Sequence, residues 1–292
     1  MDQMKQKPVY EEFKKNFRYI RWSNDGPLIH IAHATGLCSN AYSEFTQELT
    51  DNYEIIGLDF RGHGKTQAPA EPANLLNWEV FYRDLEGFFR HQNQPIIAIG
   101  HSMGGTVSAV LAARFPELVS MLVLIEPGFM PPLWRPFVYF AQKSGISMHV
   151  PFVTSVTKRK KSWKDKTEAL DDLVCKGPFK SWRRGILEDY LNQGTNTLED
   201  GSIELSCDPL WEGKILATAP VGIWSDVAKI KCPTLVIYSD KSKTFLPSVA
   251  ANLQKLLPQV LFKEMSNTGH FIPMEKPEEL AEIVIEFIEE KK

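Results

Sequence analysis

A chain of 292 residues, 43% hydrophobic and 24% charged, has a globular composition and room for one large α/β domain or two average ones. Its net charge of −3 excludes a globally basic binder of nucleic acid or anionic membrane, and no apolar run reaches the ~18 residues of a bilayer span. Four scattered cysteines without a CxxC pair argue against a structural zinc and a disulfide framework. A cytoplasmic setting is therefore expected, and the opening MDQMKQKPVYEEFKK lacks the apolar core of a secretory signal.

Taken in chain order, apolar runs at 28–34 (LIHIAHA), 53–59 (YEIIGLD), 95–100 (PIIAIG) and 120–126 (SMLVLIE) read as buried strands. Helical spacing over 40–49, 77–92 and 103–115 separates them. Unbroken apolar strands alternating with helices imply a parallel sheet covered on both faces. The pattern returns with strands at 233–240 and 260–266 and a closing helix at 277–290. Residues 129–208 differ in kind, with prolines at their start, many aromatics, a basic run at 158–161 and no strong strand. They are expected to form a mainly helical cap inserted into a core made of 1–128 and 209–292. The basic run reads as a solvated helix face. No internal repeat or low-complexity tract is present.

Gly100, Ser102 and Gly104 form G-x-S-x-G between a strand and a helix, the context a nucleophile elbow requires. The glycines leave room for a tight, strained turn, and the turn lifts the serine hydroxyl to the helix N-terminus, where backbone N–H groups favour negative charge. A serine needs a base. Of seven histidines, His270 lies in a loop between the last strand and the last helix, at the same carboxyl edge of the sheet as Ser102. His33, His63 and His101 sit beside turns or strand ends and read as structural.

With HATG after one strand, DFRGHG after the next, GHSMGG at the elbow and GHFIPMEKPEE near the end, the sequence resembles the α/β-hydrolase superfamily over about 210 residues. The resemblance implies an α/β-hydrolase fold and a triad in the chain order Ser, acid, His. It also departs from the family at one point. The usual acid follows the strand PTLVIY in a Gly-Glu-x-Asp pattern, but here Ser239-Asp240-Lys241-Ser242 stands there, so Ser242 occupies the acid position. A hydroxyl cannot supply that charge. Glu126, ending the strand after the elbow as in haloalkane dehalogenases and certain lipases, is favoured over Asp240 as the replacement.

The resemblance further places the oxyanion donors at the backbone of Met103 and of Thr35, with Leu37 as fallback. Asp59 and Arg61 are expected to brace loops. Phe129, Met130, Trp134, Phe137 and Phe140 are expected to give the cap an apolar pocket, with Phe129 and Met130 as its nearest walls. No P-loop and no HExxH is present, and no metal or cofactor is called for. The expected activity is serine hydrolysis of a small, largely apolar carboxylic ester, lactone or amide. Carbon–carbon bond hydrolysis, acyl transfer and a ligand receptor with little turnover are the alternatives.

Overall fold

The computed structural model describes residues 8–292, so the expectation about the opening segment falls partly outside the described residues. Strands β1 (Val9–Phe13) and β2 (Phe17–Ser23) form an antiparallel hairpin. They are followed by β3 (Leu28–Ala32), β4 (Glu54–Leu58), β5 (Ile96–His101) and β6 (Val119–Ile125). Three short strands, β7 (Ser162–Trp163), β8 (Thr195–Thr197) and β9 (Ile203–Leu205), make a separate antiparallel sheet. Finally β10 (Thr234–Ser239) and β11 (Leu261–Met265) rejoin the large sheet. Its eight strands lie in the order β1-β2-β4-β3-β5-β6-β10-β11. Beyond the antiparallel β1–β2 and β2–β4 pairs, every neighbour is parallel.

Helices α1 (Ser43–Gln47), α2 (Glu79–His91) and α3 (Met103–Arg114) follow β3, β4 and β5. Between β6 and β10 run α4 (Arg135–Lys143), α5 (Pro151–Thr157), α6 (Lys166–Leu173), α7 (Arg184–Gln193), α8 (Pro209–Ala217) and α9 (Trp224–Val227). The chain closes with α10 (Pro247–Leu256), α11 (Ile272–Glu275) and α12 (Pro277–Lys291). Alternation along β6 explains the apolar runs. Leu122 and Leu124 join a cluster with Phe81 of α2, Val107 of α3 and Val249 of α10. Val123 and Ile125 join another with Phe45 of α1 and Leu280 and Val284 of α12. Both faces are covered, so neither side of a strand needs polar residues.

Two features differ from expectation. The β1–β2 hairpin was not foreseen, because its turn is made by Lys14 and Lys15 at φ 47° and 59°, positions where Gly or Asn is the usual signal. The segment 129–208, expected to be mainly helical, carries the short strands β7–β9 beside its helices. From Trp163 onward it sends Trp163, Trp182, Tyr190 and Ile203 into the second cluster, whereas α4 buries no residue. The basic run is not a helix face either: α5 ends at Thr157. Arg159 turns in to Glu212 at 2.6 Å, while Lys160 and Lys161 pair with Glu168 and Asp208.

Candidate active site

Ser102 sits between β5 and α3 at φ 54°, ψ −112°, a conformation that costs a non-glycine residue about 1–3 kcal/mol. Backbone bonds hold it there. Its N–H donates to Ile125 O at 2.9 Å, and its carbonyl accepts from Thr106 N at 3.0 Å. The flanking glycines are compelled by space. A methyl group at Gly104 would stand 2.1 Å from Ala32 O, and one at Gly100 2.5 Å from Gly104 O. α3 therefore starts almost against β3 and β5, with Ser102 at the rim.

His101 pairs with Ile125 across β5–β6, and Ile125 pairs with Ile237 across β6–β10. Ser102, Glu126 and Ser239 consequently share the carboxyl edge of the sheet. Glu126 is fully buried and also strained, at φ 47°. A buried carboxylate is costly unless its oxygens are satisfied, and here donors meet both. Ser239 N donates to Oε1 at 2.7 Å, Ser242 Oγ donates to Oε2 at 2.6 Å, and His270 Nδ1 lies 3.1 Å from that same Oε2. A carboxylate only accepts, so Nδ1 carries the proton and Nε2 is left free to take one.

Asp240 is elsewhere. It is solvent-exposed, and its Oδ1 accepts from Thr268 N at 3.4 Å. Backbone hydrogen bonding from Asn267 holds its carboxyl below the usual carboxylate range. It therefore caps the loop leading to His270 rather than meeting the imidazole. Ser242, at the family's acid position, touches Glu126 and also accepts from Phe245 N at 2.9 Å.

The loop after β3 closes a turn in which Leu37 N donates to Ala34 O at 3.2 Å, with Gly36 at φ 78°. That bond consumes the fallback donor. Gly36 N is taken by His63 Nε2 at 3.0 Å, while Thr35, half-buried, keeps its N–H unengaged among the described residues. Met103 N–H opens α3, where the first amides have no intrahelical acceptor.

A second network was missed from sequence. Ala34 N donates to Tyr42 Oη at 2.9 Å, and that hydroxyl meets His101 Nδ1 at 2.7 Å. His101 Nε2 then donates to the carbonyl of His270 at 2.8 Å. Burial, reinforced by the neighbouring His270, lowers the His101 pKa to about 3. The neutral ring thus ties the loop after β3 to the backbone of His270 without adding charge. The only signal was the histidine in GHS, and Tyr42, 59 residues earlier, gives none. His33 and His63 are also buried and held neutral by desolvation, accepting from Phe60 N and Gly36 N. Asp59 accepts from Ser39 N and Lys65 N, and Arg61 forks onto Asp84 at 2.6 and 2.8 Å; both brace loops.

The expected pocket residues are dispersed. Phe129 is buried against Trp224 with ring centroids 5.7 Å apart, and half-buried Met130 accepts from Trp224 Nε1 through its carbonyl at 3.0 Å. Trp134, Phe137 and Phe140 are exposed. Concavities of 420 and 270 Å³ occur on the surface, around Glu44 and Asp189 and around Trp78 and Ile223, and neither is lined by Ser102, Glu126 or His270.

A model of the alpha/beta hydrolase family matches residues 29–283. An uncharacterized hydrolase of Bacillus subtilis, YugF, is 24% identical over 276 residues, 94% of each chain. Ethanol acetyltransferase 1 of Cyberlindnera fabianii is 25% identical over 281 residues, covering 91% of this chain and 80% of that one. The crystal structure of E-2-(acetamidomethylene)succinate hydrolase has the same fold, with a TM-score of 0.78 at 18% identity over 97% of this chain and 99% of that one.

Proposed function

The chain belongs to the alpha/beta hydrolase family, and on that footing we propose that it is a serine hydrolase cleaving a small, largely apolar carboxylic ester through an acyl-enzyme. The observation that carries this is the contact between His270 Nδ1 and the buried carboxylate of Glu126, at the sheet edge that presents strained Ser102. Ser102 Oγ attacks the carbonyl carbon as His270 Nε2 takes its proton, and Glu126 stabilises the resulting imidazolium. The N–H groups of Met103 and Thr35 hold the oxyanion. His270 then gives the proton to the departing alkoxide. Water, losing a proton to the same ring, releases the acid and restores Ser102.

Residues 129–208 act as the cap over this edge, with Met130 and Phe129 at its root. The four free thiols, Cys38, Cys175, Cys207 and Cys232, fit a reducing compartment. A second reading is favoured by the acetyltransferase relative: an alcohol in place of water would turn the acyl-enzyme into a new ester. The test is labelling by a fluorophosphonate. Wild type is expected to label and Ser102→Ala not to. Failure of the wild type, or equal labelling of Ser102→Ala, rejects the reading. Release of acid or of ethyl ester from an acyl donor in aqueous ethanol then separates hydrolysis from transfer.

A further inference from the structure

Surface helices ordinarily turn their apolar stripe inward, and α4 does the reverse. On its anchored side Gln142 Nε2 donates to Ala219 O at 2.8 Å. Leu133, Phe137 and Phe140, one helical stripe around and just before α4, are 84%, 76% and 66% exposed. Phe152 of α5 is 66% exposed as well, although Val153 and Thr157 of the same helix pack on Gly213 of α8. α4 and α5 both pack on the intervening turn at 146–149, and large exposed apolar side chains on such neighbouring helices mark a contact site rather than ordinary surface.

Charge says which contact. From Pro127 to Lys164 the chain carries seven Lys or Arg and no Asp or Glu, in a molecule whose net charge is −3. Arg159, Lys160 and Lys161 are answered by carboxylates from other segments. Exposed Arg135 and Lys143, bounding α4, and Lys158, just after α5, have no ion-pair partner among the described residues. Exposed charges are screened beyond about 10 Å, so an approaching surface meets this local excess of cations rather than the molecular net charge. Two copies joined face to face would bring the unpaired Arg135, Lys143 and Lys158 of each against those of the other.

We propose that the α4–α5 face docks on an anionic lipid surface, with Leu133, Phe137, Phe140 and Phe152 entering the acyl boundary and Arg135, Lys143 and Lys158 meeting headgroup phosphates. No helix among the described residues is long and apolar enough to cross a membrane, so the contact lies on the bilayer. It does not depend on the chemistry at Ser102. The positive segment gives locally what the sequence-wide charge denies globally.

The test is cosedimentation of the full chain with vesicles of phosphatidylcholine alone or mixed with phosphatidylglycerol, in low and high salt. Wild type is expected to partition onto the mixed vesicles and to be released by salt. Phe137→Ser/Phe140→Ser and Arg135→Glu/Lys143→Glu are each expected to weaken partitioning about tenfold or more, with unchanged circular dichroism. The second pair alters exposed charges and one surface cation–π contact, Lys143 over the exposed Tyr139 ring at 5.7 Å, so it reads the docking without touching buried packing. No binding to either vesicle, equal binding to both, or undiminished binding by the variants overturns the proposal. So does a solution dimer that the phenylalanine variant dissociates.

Discussion

Under the proposed triad, Glu126 and Ser242 together explain how an acid can leave its customary strand. The family's acid position follows β10, yet the carboxylate that meets His270 comes from the end of β6, and Ser242 now donates to it. Both positions therefore reach the same point behind the imidazole. Ser102 and His270 were legible because each sits in a motif at a strand end. Glu126 was favoured over Asp240 by resemblance alone, since the choice depends on which strand end lies beside β11's loop, a fact of sheet order rather than of spacing. If the two positions are interchangeable, Glu126→Gln/Ser242→Asp should recover at least about tenfold of the turnover lost in Glu126→Gln alone. Recovery absent in a folded double variant would mean that Ser242 merely caps its loop. Ser242→Ala, losing one donor to Glu126, is expected to lower kcat about tenfold with little change in KM.

At the level of elements, the central strands were readable because burial on both faces removes polar residues from them. The β1–β2 hairpin was hidden for the opposite reason. Its charged residues, such as Glu11 and Arg21, pair across the two strands, and its turn lacks the glycine that would have announced it. The union of β3, β5 and α3 has a sharper requirement. Gly104→Ala must force Cβ against Ala32 O and is expected to cost about 2–4 kcal/mol. Gly128→Ala, whose nearest contact is Thr106 Oγ1 at 3.5 Å, is expected to change stability by no more than about 0.5 kcal/mol. Paired thermal melts measure both. Equal shifts would mean that the close approach at the elbow is not what makes glycine necessary. The small sheet β7–β9 was unreadable because strands of two or three residues carry no period.

Across the whole molecule, burial has silenced most of the histidines near the sheet. Desolvation lowers His30 to about 3, His63 to about 4 and His101 to about 3, and takes His33 well below its ordinary value. A folded pKa below the unfolded 6.5 means that the unfolded chain binds more protons. The stability these groups contribute is present above about pH 6.5 and is lost as pH falls toward their folded values. Asp189, raised to about 6 by burial, and the buried Asp59 and Glu212, also raised, act in the opposite sense. Four lowered rings outweigh the carboxyls raised by burial, Asp84 among them, so urea unfolding between pH 6 and 5 should take up protons net and stability should fall with pH across that window. A flat profile would show that these rings are not buried neutral. The same neutrality keeps His101 from repelling an imidazolium at His270 in the proposed triad. Its most direct measurement is kcat on a soluble ester for Glu126→Gln beside Asp240→Asn. A loss of about 10²–10⁴-fold in the first, with the second within about threefold of wild type, is expected; collapse of Asp240→Asn with Glu126→Gln active would contradict the assignment.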